Sequence, residues 1–207
     1  ASAVAMQGHH PGRAPAAPLG NQHARWNVVV VGSTDLQPLH REAVARLARA
    51  AQSQEKILIH GDYDVDGVTG AAILSLAFKK MEIRHETFLP ERKRDGYGVS
   101  REAIERARKE GFRLLVTVDC GISAADEIRE ARQAGIESIV LDHHQLPPGG
   151  LPPADVILNP IQEGCAYPFK ELSAGGLAFK LAQALLGPAA FEFFDLATLS
   201  TVADLAP

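Results

Sequence analysis

Three short segments rich in aspartate and histidine could together hold metal ions. The first is HGDYDVDG at residues 60–67, in which three aspartates alternate along the chain. The second is VDCG around Asp119, and the third is DHH at residues 142–144. Each segment follows directly after a predicted strand, where the sheets of α/β proteins bind their ligands. We therefore predict that the three segments meet at one edge of a sheet.

Carboxylates that converge in this way repel one another, so without a cation some would stay protonated with raised pKa values. In the first segment Asp62, Asp64 and Asp66 occupy alternate positions, so their three carboxylates can point into one small volume. The alternative for a single Asp after a strand is a helix N-cap or a turn residue, and two adjacent histidines can simply be loop residues. Three such segments at one edge favour a metal site.

The types of ligand indicate which metal and which chemistry. Mixed Asp and His ligands disfavour an all-oxygen calcium site, and the absence of thiolates disfavours structural zinc. Mn²⁺ is therefore favoured, with Mg²⁺ as the second choice. Two such ions about 3.5–4 Å apart form the clamp used for in-line displacement at phosphorus, which predicts phosphodiester hydrolysis. The sequence contains no GxxxxGK[ST], GxSxG or GxGxxG motif, so other nucleotide and hydrolase chemistries lack their primary signature.

Short apolar runs alternate with amphipathic segments, which predicts an α/β fold with a mainly parallel five- to six-stranded sheet and helices on both faces. The predicted strands are Val28–Val31, Lys56–His60, Arg84–Leu89, Leu114–Val118, Ile136–Leu141 and Val156–Asn159. The helices predicted between them are Pro38–Ala51, Val68–Met81, Arg101–Glu110 and Ala124–Ala134. The C-terminal part is predicted to be mostly helical, over Ser173–Leu186 and Phe191–Val202.

Composition restricts the class of protein. Residues 1–25 are rich in Ala, Gly and Pro and are expected to form a disordered tail, which leaves residues 26–207 as one catalytic domain. No uncharged apolar run approaches the ~18 residues of a membrane span. Cys120 and Cys165 are too few and too far apart for a disulfide framework, which favours a reduced, cytoplasmic setting. The net charge of −4 is unusual for a nucleic-acid-binding protein, but two divalent cations would bring it to about zero.

The motifs HGDYDVDG, VDCG, DHH and the terminal TVADLAP resemble the four ordered motifs of the DHH phosphoesterase superfamily. Within it, DYDVDG, LPERKRDGYGVS, the LNP at residues 158–160 and SAGGLAFKLAQAL resemble the RecJ single-stranded-DNA-specific exonucleases. The resemblance covers residues 28–207. It implies two metal sites that share Asp119 as a bridging ligand. The ligands implied for the first ion are His60, Asp64 and Asp119. The ligands implied for the second ion are Asp66, Asp119, His143 and Asp204.

The resemblance also implies roles beyond direct ligation. Asp62 matches an acidic position that supports the metals or ligates one of them, with a turn residue as the alternative. His144 matches a histidine that contacts the phosphate or the leaving group, and Asp142 would orient the histidine pair from behind. Together with Asp119, these assignments make Asp62 and His144 the candidate catalytic residues.

Candidate substrate contacts lie in the segment that follows the third predicted strand. Arg92 and Arg94 are expected to contact phosphates beside His144, although a run of basic residues is more often a solvated surface. Tyr97 could stack on a base, with local packing as the alternative.

The resemblance implies 5′ to 3′ hydrolysis of single-stranded DNA in repair and recombination, with a single-strand-binding protein or a helicase as partner and no membrane association. One alternative is a DHH phosphodiesterase acting on short oligoribonucleotides or cyclic dinucleotides. Another is a binding module for nucleic acid without catalytic activity. RecJ proteins continue past the fourth motif into a second domain, which we expect to be absent from this chain.

Overall fold

A computed structural model describes residues 38–91 and 98–206. Within these residues, five parallel strands form one sheet in the order β2-β1-β3-β4-β5. The strands are β1 (Ile57–Gly61), β2 (His85–Phe88), β3 (Leu114–Val118), β4 (Glu137–Leu141) and β5 (Val156–Leu158). The α-helices are α1 (Pro38–Gln52), α2 (Val65–Lys80), α3 (Arg101–Lys109), α4 (Ala125–Gln133), α5 (Ala174–Leu186) and α6 (Phe194–Ala203).

Helices cover both faces of the sheet, as the sequence predicts. On one face, α1, α2, α5 and α6 pack on side chains such as Ile59, Val116 and Ile139. On the other face, α3 and α4 pack on Leu115 and Val140. The central strands β1 and β3 are buried along their whole length, which explains why their sequences are nearly all apolar and do not alternate. The predicted strand Val28–Val31 lies outside the described residues.

Helix α2 begins three residues earlier than its apolar pattern predicts. Asp64 occupies the N-cap position, and its Oδ1 accepts a hydrogen bond of 3.0 Å from the backbone N–H of Gly67. The prediction of a start at Val68 is wrong because the capping residue and the first turn are themselves part of the acidic motif. As a result, Asp66 lies in the first turn of a helix and not in an extended segment.

The C-terminal part is mostly helical, as predicted, with a 3₁₀ helix at Gly187–Phe193 that joins α5 to α6. Residues Ala174–Ala203 are long and apolar enough, by length and composition alone, to cross a membrane. Half of their most apolar window is buried inside the domain, where α5 packs against α2 and the sheet. This apolar stretch is therefore part of the core of the fold.

Candidate metal centre

The sheet brings the three motifs together through the register of its strands. The last residues of β1, β3 and β4 lie side by side, because Gly61 pairs with Val118 and Val118 pairs with Leu141. The first residue after each strand then bonds to the neighbouring strand. The N–H of Asp62 donates to Val118 O at 3.1 Å, and that of Asp119 donates to Leu141 O at 2.9 Å.

Asp119 has a backbone conformation that few residue types adopt. Its φ angle is +63°, in the left-handed region that Asp and Asn tolerate better than other residues with a side chain. The turn that follows is fixed by Thr117, whose hydroxyl donates to Cys120 O at 2.8 Å. The Asp119 side chain is buried, and it lies between the first and third motifs.

Five of the six predicted ligands, together with Asp62 and His144, fall into three overlapping groups, and within each group the ligand atoms lie within 4.8 Å of one another. The groups are Asp62–Asp64–Asp119, Asp66–His143–Asp204 and Asp119–His143–His144. The expectation that the aspartates of the first motif share one volume holds for Asp62 and Asp64 only. Because helix α2 starts at Val65, Asp66 is directed toward a different group.

His143 lies at the centre of these groups. Its Nε2 is 3.2 Å from Asp119 Oδ1 and 3.6 Å from Asp66 Oδ2, and its Nδ1 is 3.7 Å from Asp204 Oδ2. Asp204 reaches this position from the C-terminal end of α6, where it is the C-cap residue. The terminal TVADLAP motif is thus brought to the same place as DHH.

The carboxylate of Asp66 is held firmly by the protein. Its Oδ2 accepts from the N–H of Ala174 at 2.8 Å, and its Oδ1 accepts from the N–H of Gly175 at 2.7 Å. The buried hydroxyl of Ser200 on α6 also donates to Oδ1. Helices α2, α5 and α6 therefore meet at this carboxylate.

His60 is the one predicted ligand that lies outside the three groups. It is fully buried, its Nε2 accepts a 3.0 Å hydrogen bond from the N–H of Ser100, and its Nδ1 lies 3.6 Å from Cys120 Sγ. Burial raises the pKa of the Cys120 thiol well above its usual value, so this cysteine is a neutral packing residue beside the site.

The DHH motif forms its own hydrogen-bonded unit. Asp142 Oδ1 lies 2.7 Å from His144 Nδ1 and also accepts from the N–H of His144, while Oδ2 accepts from the N–H of Ile122 at 2.9 Å. The hydrogen bond to Asp142 raises the pKa of His144 to about 9. For Asp142 itself, burial favours the neutral form, but these hydrogen bonds outweigh it and lower the pKa.

The pKa values of the acidic residues and of His143 in this centre are shifted by burial and by neighbouring charges. Burial, with nearby carboxylates, raises the pKa of Asp119 to about 7. Burial also raises the pKa values of Asp62 and Asp204. For His143, burial favours the neutral ring, but the proximity of Asp119 and the other carboxylates outweighs it and raises the pKa. For the three acids, burial is the larger cause and the neighbouring carboxylates add to it, whereas the shift of His143 reflects the surrounding negative charge.

Asp62 Oδ1, Asp119 Oδ1 and His143 Nε2 are buried and make no hydrogen bond of good geometry among the described residues, even though the last two atoms lie 3.2 Å apart. A buried polar atom without a partner costs about 1–3 kcal/mol, and more if it is charged. All three belong to the groups defined above, and all three are donor atoms that divalent cations accept. The residues present therefore fit bound cations.

A cleft of about 480 Å³ opens beside His144, between the turn after β3 and the start of α3. Val99, Ile122 and Gln145 are among its lining residues. The three other predicted substrate contacts, Arg92, Arg94 and Tyr97, lie outside the described residues.

The structure adds residues that the sequence analysis did not single out. Ser200 and Ser173 support Asp66 from behind, and no motif marks Ser200 apart from its position one helical turn before Asp204. Asn159 donates from Nδ2 to His144 O at 3.0 Å, which gives a structural reason for the LNP segment. Ser100 contacts His60 through its backbone, which a sequence pattern cannot reveal.

Residues 56–205 match the family model described as DHH family, N-terminal domain. The chain is 44% identical over 167 residues to the single-stranded-DNA-specific exonuclease RecJ of Bacillus subtilis, covering 81% of this chain and 21% of that protein. The chain thus spans about a fifth of the length of this relative.

Solved structures agree with this similarity. Exonuclease RecJ bound to manganese matches with a TM-score of 0.76 and 38% identity, over 85% of this chain and 46% of that one. RecJ of Thermus thermophilus in complex with Mg²⁺ matches with a TM-score of 0.53 and 29% identity, over 83% of this chain and 21% of that one. The metals bound in these two relatives are the two that the ligand types favour in this chain. The chain belongs to the DHH family, whose N-terminal domain it contains, and it is similar to the RecJ exonucleases.

Proposed function

We propose that this chain carries the catalytic centre of a single-stranded-DNA exonuclease of the RecJ type, which hydrolyses phosphodiesters from the 5′ end with two divalent cations. Its role would be in DNA repair and recombination. Family membership supports phosphoester chemistry, and the similarity to the single-stranded-DNA-specific exonuclease of Bacillus subtilis supports the substrate. Because the chain spans only a fifth of that relative, substrate and polarity belong to the proposal.

The observation that carries the proposal is the set of buried ligand atoms without partners. Asp62, Asp119 and His143 come from three different turns, and each contributes one such atom at the same edge of the sheet. Cations would remove the cost of leaving these atoms without hydrogen bonds and would offset the burial and the repulsion that raise the pKa of Asp119.

We assign the ligands from the groups that the fold assembles. One cation would be held by Asp62, Asp64 and Asp119, and the other by Asp66, Asp119, His143 and Asp204. The predicted role of His60 as a ligand requires the N–H of Ser100 to move away from Nε2. Bound divalent cations would supply charge neutralisation at the phosphate and an acidified water.

His144 has a separate role in this proposal. Asp142 fixes its ring through Nδ1 and favours the protonated form, because the pKa is raised to about 9. We assign to Nε2 the donation of a proton or hydrogen bond to the phosphate or the leaving oxygen. The side chain is 43% exposed, so it can reach a substrate in the adjoining cleft.

The substrate path follows from the same arrangement. A strand of nucleic acid lying along the sheet edge would pass the cleft beside His144. The segment with Arg92, Arg94 and Tyr97 starts shortly after β2, whose end faces the same edge, so these residues remain the proposed contacts to phosphates and a base.

A single-strand-binding protein or a helicase is the proposed partner, and the reduced cysteines Cys120 and Cys165 fit a cytoplasmic enzyme.

The test compares substrates at fixed salt with Mn²⁺ present. The purified chain is given a single-stranded DNA labelled at the 5′ or the 3′ end, duplex DNA, a short oligoribonucleotide and a cyclic dinucleotide. We expect mononucleotides to be released from the 5′ end of single-stranded DNA at the highest rate. Preferred cleavage of the oligoribonucleotide or the cyclic dinucleotide would replace this proposal with a different DHH phosphodiesterase. Binding of DNA without turnover of any substrate would replace it with a non-catalytic module.

A further inference from the structure

The carboxylate of Asp66 is surrounded by three hydrogen-bond donors where α2, α5 and α6 meet. The N–H groups of Ala174 and Gly175 donate to it at 2.8 and 2.7 Å, and the Ser200 hydroxyl donates to Oδ1. Ser200 has no solvent exposure. A buried serine directed at a proposed cation ligand, and at no substrate surface, needs a role of its own.

The hydrogen bonds around Ser200 can run in one direction only. An ionised carboxylate only accepts, so the single hydroxyl hydrogen of Ser200 goes to Asp66. The Ser200 oxygen is then left to accept from the Ser173 hydroxyl, 2.6 Å away. Ser173 in turn accepts from the N–H of Gly176 at 3.1 Å. The whole chain of hydroxyl groups is therefore polarised toward Asp66.

This arrangement limits how Asp66 can bind a cation. Each carboxylate oxygen has two lone pairs, and the N–H of Gly175 and the hydroxyl of Ser200 use both of those on Oδ1. Oδ2 uses one lone pair for Ala174 and lies 3.6 Å from His143 Nε2. One lone pair of Oδ2, on the side of His143, is left for a cation, which makes Asp66 a monodentate ligand.

The local sequence makes room for this contact. A Cβ atom at Gly175 would lie 2.5 Å from Ser200 Cβ and 3.4 Å from Asp66 Oδ1, so only glycine lets the three elements approach this closely. Ser200 also lies one turn before Asp204 on α6, and its carbonyl accepts from the N–H of Asp204 at 3.0 Å. One helix thus positions both Asp66 and Asp204.

We propose that Ser200, supported by Ser173, is a positioning residue that restricts Asp66 to one coordinating oxygen and thereby favours Mn²⁺ over Ca²⁺ at the Asp66–His143–Asp204 group. Ca²⁺ takes six to eight oxygen ligands and often uses carboxylates in bidentate fashion. If the second oxygen of Asp66 is not available, the site offers Ca²⁺ too few oxygen ligands. Mn²⁺ needs fewer ligands and accepts a nitrogen donor, so the site favours Mn²⁺. The inference rests on the proposed function, in which Asp66 is a cation ligand.

The test is the Ser200→Ala variant, which removes the hydroxyl without adding volume. Mn²⁺ binding is followed by electron paramagnetic resonance of the free ion, and Ca²⁺ is then added as a competitor. We expect Mn²⁺ affinity at one of the two sites to fall about tenfold, as is typical when the support of a ligand is lost. Ca²⁺ should compete more effectively than in the wild type, so the ratio of the two affinities falls. This readout is independent of turnover.

Thr201→Val is the matched control. It removes a hydroxyl from the neighbouring position of the same helix, where Thr201 donates to Ala197 O and does not contact Asp66. Its ratio of Mn²⁺ to Ca²⁺ affinities should equal that of the wild type. Ser173→Ala serves as a second variant that leaves the contact between Ser200 and Asp66 in place, and it should lower the ratio in the same direction by a smaller factor.

The outcomes separate this inference from the proposed function. If Asp66→Asn loses one Mn²⁺ ion but Ser200→Ala and Ser173→Ala keep the wild-type ratio, or lose both affinities in parallel, the role of Ser200 is refuted alone. If the wild type binds no Mn²⁺, or Asp66→Asn keeps full occupancy, the ligand assignment fails and this inference fails with it.

Discussion

Asp142 and His144, two residues apart, are joined by a hydrogen bond of 2.7 Å between Oδ1 and Nδ1. Asp142 is almost fully buried, whereas the side chain of His144 is 43% exposed at the cleft. A buried acid thus fixes the orientation and the charge of a histidine at the surface of the site. In the proposed mechanism this pair supplies the proton, and Asp119 together with the other carboxylates of the three groups would hold the cations.

Replacing His144 by alanine should lower the rate while leaving Mn²⁺ bound. Loss of a general acid typically costs a factor of about 10² to 10⁴. Asp62, Asp64, Asp66 and Asp204 would remain in place, so we expect near-normal Mn²⁺ content. The measurement combines turnover of single-stranded DNA with metal analysis of the same sample. An unchanged rate, or loss of both ions, would show that His144 has a different role.

Gly67 is required by the turn of the first motif. A Cβ atom there would lie 2.5 Å from the backbone nitrogen of Asp62 and 2.7 Å from its Cα. Because backbone cannot easily move aside, Gly67→Ala should lower the free energy of unfolding by about 1–3 kcal/mol and displace Asp62. Gly149→Ala is the control, since a Cβ at that position meets nothing within 4 Å. Denaturant unfolding of both variants should show the effect at Gly67 only, and equal stabilities would contradict this account.

His40 should make the stability depend on pH. It is buried, and burial together with the charge of Lys180 lowers its pKa from 6.5 to about 4. The unfolded chain takes up this proton near pH 6.5 and the folded chain only near pH 4, so the free energy of unfolding falls as the pH falls between these values. The full loss would be roughly 3 kcal/mol.

The measurement for His40 is denaturant unfolding at several pH values between 7 and 4, on the wild type and on His40→Leu. Leucine has a similar volume and no titrating group, so the variant should lose less stability on acidification. Identical slopes for the two proteins would mean that His40 is not buried in its neutral form.

The sequence predicts the fold well because the strands carry a simple signal. A strand such as Leu114–Val118, buried on both faces, is apolar at nearly every position, and the helices between strands show a clear period. The start of α2 is missed because Asp64 serves as both cap and candidate ligand, and a ligand motif hides the capping signal.

Which acidic residues meet is also only partly predictable. The alternation of Asp62, Asp64 and Asp66 suggests one shared volume, but the first turn of α2 turns Asp66 toward His143. Ser200 is invisible to sequence reasoning because its contact with Asp66 spans 134 residues and depends on how α6 packs against α2.

In the proposed centre Asp119 would be shared by the two cations, so the Mn²⁺ content of variants at this position tests the centre directly. Asp119→Asn keeps the shape of the side chain and tolerates the φ angle of +63°, while Asp119→Ala removes the side chain altogether. Asp126→Asn, which removes the same charge from an exposed position on α4, is the control. We predict about two Mn²⁺ ions per chain in the wild type and the control, fewer than one in both Asp119 variants, and loss of exonuclease turnover in those variants. Retention of two ions with near-normal turnover in Asp119→Ala would show that Asp119 is not a shared ligand of the cations.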